Sequence, residues 1–216
     1  MNTKSKKNVI TGLLLLVCMI ACIAIATVCM PTVVYADSAN PFLQVTCGSA
    51  DKTGTGWSWD TDESYNGTLT LNNYDGQEIA IGGVNNGKVD IVLVGDNKIT
   101  VTAPYGNRAI YTYNVSTLTF KGNGSLTIDY QVVASNQVYM HGILMEGESS
   151  SKNNGNLTFD ESCTVTVKVY GEVAEKNGSV DAIYMNTDYI GKGNVTVGKN
   201  ATLNIDLKCD KDFQTY

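Results

Sequence analysis

Apolar and polar residues alternate along short stretches of this chain. One eleven-residue form of that alternation recurs four times: IVLVGDNKITV from 91, LTFKGNGSLTI from 118, LTFDESCTVTV from 157 and VTVGKNATLNI from 195. Superposed, these units give four apolar columns: Ile91, Leu118, Leu157 and Val195; Leu93, Phe120, Phe159 and Val197; Ile99, Leu126, Val165 and Leu203; Val101, Ile128, Val167 and Ile205. A period of two is that of a strand with one buried face, so each unit reads as two strands joined by a polar turn. An earlier, less regular copy starts at Leu69 and Leu71 and resumes, after a longer turn, at Ile79 and Ile81. Between units, GNRAIYTY, HGILMEG and VDAIYMNT centre on Ile110, Ile143 and Ile183, which predicts a third short strand in each.

Similar residues recur one unit apart, as parallel stacking requires, whereas a meander of hairpins would place sheet partners next to one another in sequence. The expected fold is all-β: a right-handed parallel β-helix, a three-faced β-solenoid of about five coils over 67–216. The triplets at Asn66, Asn114, Asn123, Asn156, Asn194 and Asn200 match glycosylation acceptors. They read better as corners, where Asn and Gly accept positive φ. An open solenoid needs its ends covered, and residues 37–66, with Phe42, Leu43, Trp57 and Trp59, are expected to cap the N-terminal end.

The first thirty-six residues have a different pattern. Lys4, Lys6 and Lys7 precede an apolar run from Val9 to Met30 that closes on Val34-Tyr35-Ala36. This predicts a signal peptide over 1–36 and a secreted or cell-surface protein of bacterial type. The run is long enough to span a bilayer uncleaved; a lipoprotein reading through Cys22 fits less well, because apolar residues continue beyond it. The leader carries three lysines and no acid, so what remains is more acidic than the formal charge of −6 for the whole chain. The missing cationic footprint argues against nucleic acid or an anionic membrane as partner, leaving no membrane contact expected beyond the export signal. Cys47, Cys163 and Cys209 remain after the leader, an odd number without zinc-like spacing.

The strings GWSWD, GTLTLNNYDG, DIVLVGDNKIT, LTFKGNGSLTI and GNVTVGKNATLNI, over roughly Trp57 to Leu207, resemble a family of secreted Gram-positive carbohydrate-binding proteins with β-helix repeats. The resemblance implies a pectate-lyase-like fold, attachment to plant-type polysaccharide without catalysis, a place at the cell surface, and bound calcium. The chain lacks the repeated acid positions onto which calcium ligands would be carried over. Its own candidate set is Asp60, Asp62 and Glu63, crowded in one loop, where hard oxygen ligands suit calcium; the other reading is a solvated acidic turn. Residue chemistry argues against an enzyme. Arg108 is the only arginine and His141 the only histidine, so no histidine triad or multi-histidine zinc site can form. A polysaccharide lyase, the catalytic alternative, needs clustered carboxylates and a base. Asn186-Thr187-Asp188 matches one polygalacturonase motif, but none of its companions follows.

For a polysaccharide partner the candidate contacts are aromatic, since flat rings suit the apolar faces of pyranoses. With Ile110, Ile143 and Ile183 inward, Tyr111, Leu144 and Tyr184 should point outward as a column. Longer connections before the third strand bring in Tyr130, Tyr139 and Tyr170, with Glu146 and Asp181. The bland reading is that these tyrosines cover the shoulders of the insertions. Trp57 and Trp59 share a face and are either a stacking platform or a plug for the end. Outward threonines also line up, Thr119 with Thr158 and Thr196, and Thr100 with Thr127 and Thr166, as β-propensity explains. An adhesin-type surface solenoid is the structural alternative.

Overall fold

In a computed structural model of the protein the described residues are 42–84, 87–102, 108–132, 139–147, 155–171, 179–186 and 193–209, and the expected leader lies outside them. Among them the chain is all-β, with no helix. The strands are β1 (Leu43–Thr46), β2 (Lys52–Gly54), β3 (Trp57–Thr61), β4 (Gly67–Asn72), β5 (Asp75–Gly76), β6 (Ile79–Gly82), β7 (Lys88–Val94), β8 (Asp96–Val101) and β9 (Arg108–Tyr113). They continue with β10 (Thr117–Gly122), β11 (Ser125–Val132), β12 (Tyr139–Glu146), β13 (Asn156–Phe159), β14 (Thr164–Gly171), β15 (Ser179–Met185), β16 (Asn194–Val197) and β17 (Thr202–Cys209).

From β4 onward the chain visits three sheets in rotation. The first sheet runs β16-β13-β10-β7-β4-β3-β2, the second β17-β14-β11-β8-β5, and the third β1-β6-β9-β12-β15. Among the described strands pairing is parallel except that β3 is antiparallel to its two neighbours, β2 and β4. Hydrogen-bonded partners are therefore a full round of the chain apart, which excludes a hairpin meander for the residues from β4 on. Strand β1, inside the segment expected to cap the end, pairs in parallel with β6 and sets Leu43 beside Ile79.

Alternation decides what the rounds bury. In β7 the odd residues Val89, Ile91 and Leu93 are fully buried, while Asp90 and Val92 between them are half-exposed. Leu118, Leu157 and Val195 stand in register, as do Phe120, Phe159 and Val197. The two phenylalanine rings stack with centroids 5.2 Å apart. Each such side chain contributes about 1.5–3 kcal/mol relative to exposure.

The first full unit does not stand where the apolar columns put it. Leu118 pairs with Val89, not Ile91, and Ile128 with Ile99, not Val101. The unit is displaced by two residues in both strands, so Lys98 rather than Thr100 stands beside Thr127. A slip of two leaves every side chain on its own face, so the alternating pattern cannot detect it. What it changes is Asn97, which enters the column of Leu126 and is 3% exposed. Its Oδ1 accepts the Tyr74 amide at 2.9 Å, and its Nδ2 donates to the carbonyl of Ser125 at 3.0 Å. A buried amide thus ties the corner between the first and second sheets across three successive rounds. The earlier copy is also re-read: Ile79 and Ile81 belong to the third sheet, and its second-sheet strand is the two-residue β5. Gly122, at φ 101°, makes a tight corner of the next round, where a Cβ would lie 2.5 Å from the carbonyl oxygen of Leu93.

Two buried polar residues should respond oppositely to substitution. Asn97→Ala leaves the Tyr74 amide without its acceptor and is expected to cost about 2–3 kcal/mol. Thr112 is fully buried and its Oγ1 has no hydrogen-bond partner. Thr112→Val should be neutral or stabilising. Urea denaturation of both variants measures the contrast.

Candidate functional site

The third sheet carries a group of aromatic and ionic side chains on its outward face. Its central column is regular: Leu43, Ile79, Ile110, Ile143 and Ile183 stand side by side, and so do Ala80, Tyr111, Leu144 and Tyr184. Just before the isoleucines the alternation breaks. Gly142 also faces inward, since a Cβ there would lie 2.4 Å from Val167 Cγ1 in the interior. Ala109 and Ile110 are likewise buried in succession. Two consecutive inward residues leave the residues on both sides outward. Arg108, His141 and Asp181, which form one row across β9, β12 and β15, thus share a face with Tyr111, Leu144 and Tyr184.

On this face the rings of Tyr139 and Tyr184 each lie nearly parallel to that of His141. The His141 centroid is 6.2 Å from that of Tyr139 and 4.7 Å from that of Tyr184. The tyrosines are 47% and 40% exposed, whereas His141 is 4% exposed. Nδ1 of His141 lies 3.1 Å from Asp181 Oδ2, yet off the line of a hydrogen bond. Burial lowers the His141 pKa, and Asp181 opposes the shift only in part. The imidazole is therefore neutral at neutral pH.

Tyr111 is built in more firmly. Its hydroxyl donates to Glu146 Oε2 at 3.1 Å, and the Arg108 guanidinium carbon lies 3.8 Å from its ring centroid. Arg108 Nε in turn donates to Glu78 Oε1 at 3.0 Å. Burial, then the Glu146 carboxylate, push the Tyr111 pKa up to about 12. Asn186 Nδ2 reaches the other Glu146 oxygen at 3.5 Å. The result is a polar frame around Tyr111 beside a more open aromatic row.

Of the aromatic residues singled out in the sequence, Tyr111, Tyr139 and Tyr184 come together, with Glu146 and Asp181. Tyr130 does not: it is fully buried, because β11 keeps strict alternation and turns it inward after Leu126 and Ile128. Tyr170 faces outward from the second sheet, where its hydroxyl bonds to Asp206 and Lys208 lies over its ring at 5.4 Å. Trp59 is fully buried against β4 and Trp57 is half-buried, so the pair offers no platform. The insertions before β12 and β15, and Thr187 and Asp188, lie outside the described residues. Sequence reasoning missed Glu78 as the partner of Arg108, since the two meet only through stacking of successive rounds. The signal was available in the positions two before each isoleucine, Arg108, His141 and Asp181, but strict alternation would have turned them inward.

In the acidic loop the Asp62 carboxylate is taken up by the turn itself. Asp62 Oδ1 accepts the amides of Ser64 and Asn66, both at 2.8 Å, and Oδ2 accepts Asn66 Nδ2 at 2.9 Å. These bonds from Asn66 lower the Asp62 pKa, so the carboxylate closes its own turn. Asp60 and Asp62 line a surface hollow of about 430 Å³ together with Lys88 and Asp90, a mixed-charge lining. Among the described residues no three His, Cys, Asp or Glu side chains are arranged to hold a metal. Cys47 and Cys163 are buried free thiols.

Compared with family models, with curated proteins and with solved structures, the chain finds no match.

His141 gives the site a measurable signature. Its folded pKa lies below the ordinary 6.5, so the unfolded chain binds the extra proton first and stability falls as pH drops below about 6.5. Thermal melting between about pH 7.5 and 5 should show this loss, and His141→Phe should flatten it over the same window. Asp62, whose pKa is lowered from 3.8, acts only at lower pH and does not blur the comparison.

Proposed function

We propose that the protein is a secreted, non-catalytic carbohydrate-binding protein of the β-helix family it resembles. In this reading the three sheets close into a right-handed parallel β-helix of about five coils, with the β2–β3 hairpin as an N-terminal cap. Polysaccharide lies along the outward face of the third sheet. The observation that carries the reading is the exposed pair Tyr139 and Tyr184, ranged either side of His141 and next to the Tyr111–Glu146–Arg108 frame. Sugar rings would stack on the two exposed tyrosines while Glu146, Asn186 and Asp181 bond to ring hydroxyls. A site on strands is rigid before ligand arrives, which keeps the ordering cost of binding low.

Binding without turnover is supported by the state of Arg108 and His141, the chain's single arginine and single histidine. Arg108 is bound to Glu78 and packed on Tyr111. His141 is nearly closed off from solvent. A lyase needs its base within reach of the proton it removes. Calcium has no part in this reading.

Affinity electrophoresis on polygalacturonate and β-glucans, with assays for new reducing ends and unsaturated uronates in parallel, tests the proposal. Retardation by at least one glycan, without product, is expected. Tyr139→Ala with Tyr184→Ala should abolish it while melting is nearly unchanged, because both side chains are exposed. Product formation would overturn the non-catalytic reading. Binding that persists in the folded double variant would move the site elsewhere, and no retardation on any glycan would leave the structural solenoid as the better account.

A further inference from the structure

An aromatic ring takes the apolar face of a pyranose whether or not the sugar carries a carboxylate, so the charge around Tyr139 and Tyr184 decides which sugars settle there. In the five strands of the third sheet the charged side chains are Arg108, Glu146 and Asp181, and Glu78 directly precedes β6. With His141 neutral, one positive charge stands against three negative ones. The neighbouring segments outside the described residues, 133–138, 148–154, 172–178 and 187–192, carry three lysines against four acids. They bring no surplus of positive charge to the balance.

The one cation of this sheet is already engaged. Arg108 Nε donates to Glu78 Oε1 at 3.0 Å, and its guanidinium lies over the Tyr111 ring. A uronate that drew Arg108 away would leave the Glu78 carboxylate, whose side chain is 16% exposed, without its partner, and breaking one side of such a pair is costly. The acids, by contrast, keep room to accept. Asp181 Oδ2 takes the Ser179 hydroxyl at 2.8 Å, and Glu146 Oε2 takes the Tyr111 hydroxyl at 3.1 Å. An ionised carboxylate accepts at roughly four lone-pair sites and donates at none, so both have capacity left. What the face lacks is donors, and the hydroxyls of a hexose supply them. Oxidation of C6 from a primary alcohol to a carboxylate removes one donor and adds a like charge.

We infer that the outward face of the third sheet takes neutral hexose polymers and excludes uronate polymers such as polygalacturonate, an inference that rests on the carbohydrate-binding reading above. The choice is made by repulsion as much as by contact. Charges are screened beyond about 10 Å at 0.1 M salt, so the exclusion is strongest at low ionic strength.

Two polymer pairs of matched linkage isolate the charge: a β-glucan against the same glucan oxidised to uronate at C6, and polygalacturonate against its neutral, carboxyl-reduced form. Affinity electrophoresis of the chain recovered after export, on all four and both with chelator and with calcium, tests the inference. In each pair that is bound, the neutral member should bind roughly tenfold or more tightly at low salt. Glu78→Gln with Asp181→Asn removes two of the three negative charges and releases Arg108, and should tighten binding of the uronate member roughly tenfold. Asp96→Asn with Asp129→Asn, the same change of charge on the second sheet, should not. Melting curves establish that each variant is folded. A uronate member bound as tightly as its neutral counterpart, in either buffer, would overturn the inference and leave the carbohydrate-binding reading intact. So would a folded Glu78→Gln, Asp181→Asn variant without the gain, since exclusion would then not come from this face. No retardation on any of the four polymers would sink the carbohydrate-binding reading itself, and this inference with it.

Discussion

Everything described here depends on side chains of one strand being covered by the same position one round later. No strand of three to eight residues holds a core by itself, and the described strands bury theirs only in columns. Leu43, Ile79, Ile110, Ile143 and Ile183 are one such column; Phe120 stacked on Phe159 belongs to another. Parallel pairing supplies the backbone bonds at the strand spacing of about 4.8 Å, which is also a comfortable distance between stacked apolar side chains. Register is then strongly specified in steps of one residue and weakly in steps of two. Special residues must decide between the even steps.

That division explains what could be read from sequence. Alternation identified every strand from β7 onward in kind, and the later three units fall in the register that their apolar columns predict. The first unit does not, because matching apolar letters pulled it two residues away from an alignment that places Asn97 in the core. A buried asparagine reads as a polar turn residue until its partners are visible, and those partners, Tyr74 and Ser125, come from the rounds before and after. The same preference for apolar matches drew Ile79 and Ile81 into the wrong sheet. A two-residue strand such as β5 carries too little pattern to claim its place.

The outward face was less legible for a related reason. Tyr111 and Tyr184 follow from simple alternation, whereas Tyr139 and His141 share their face only because the strand turns two successive residues inward at Gly142 and Ile143. No period-two argument contains that step. Glycine marks it: at 142 only a residue without Cβ clears Val167 and the carbonyl oxygen of Ala182, 2.6 Å from where the Cβ would be. Tyr130 fails in the opposite sense, since β11 has no such break and the tyrosine stays inside.

The irregularity at Gly142 has a cost that regular strands avoid. It closes a histidine to 4% exposure without a hydrogen bond at Nδ1, although a carboxylate stands 3.1 Å away. A leucine continuing the alternation would lose nothing of the kind. Sequences generally depart from local consistency where something other than stability is being held in place. Here the departure is what ranges Tyr139 and Tyr184 either side of one ring, and sets Arg108, His141 and Asp181 in a row beside Tyr111. The partly buried acid–base contacts next to them, Arg108 with Glu78 and Tyr111 with Glu146, fix the frame in one geometry. Rigid strands and locked partners suit recognition of a ligand whose shape is known in advance.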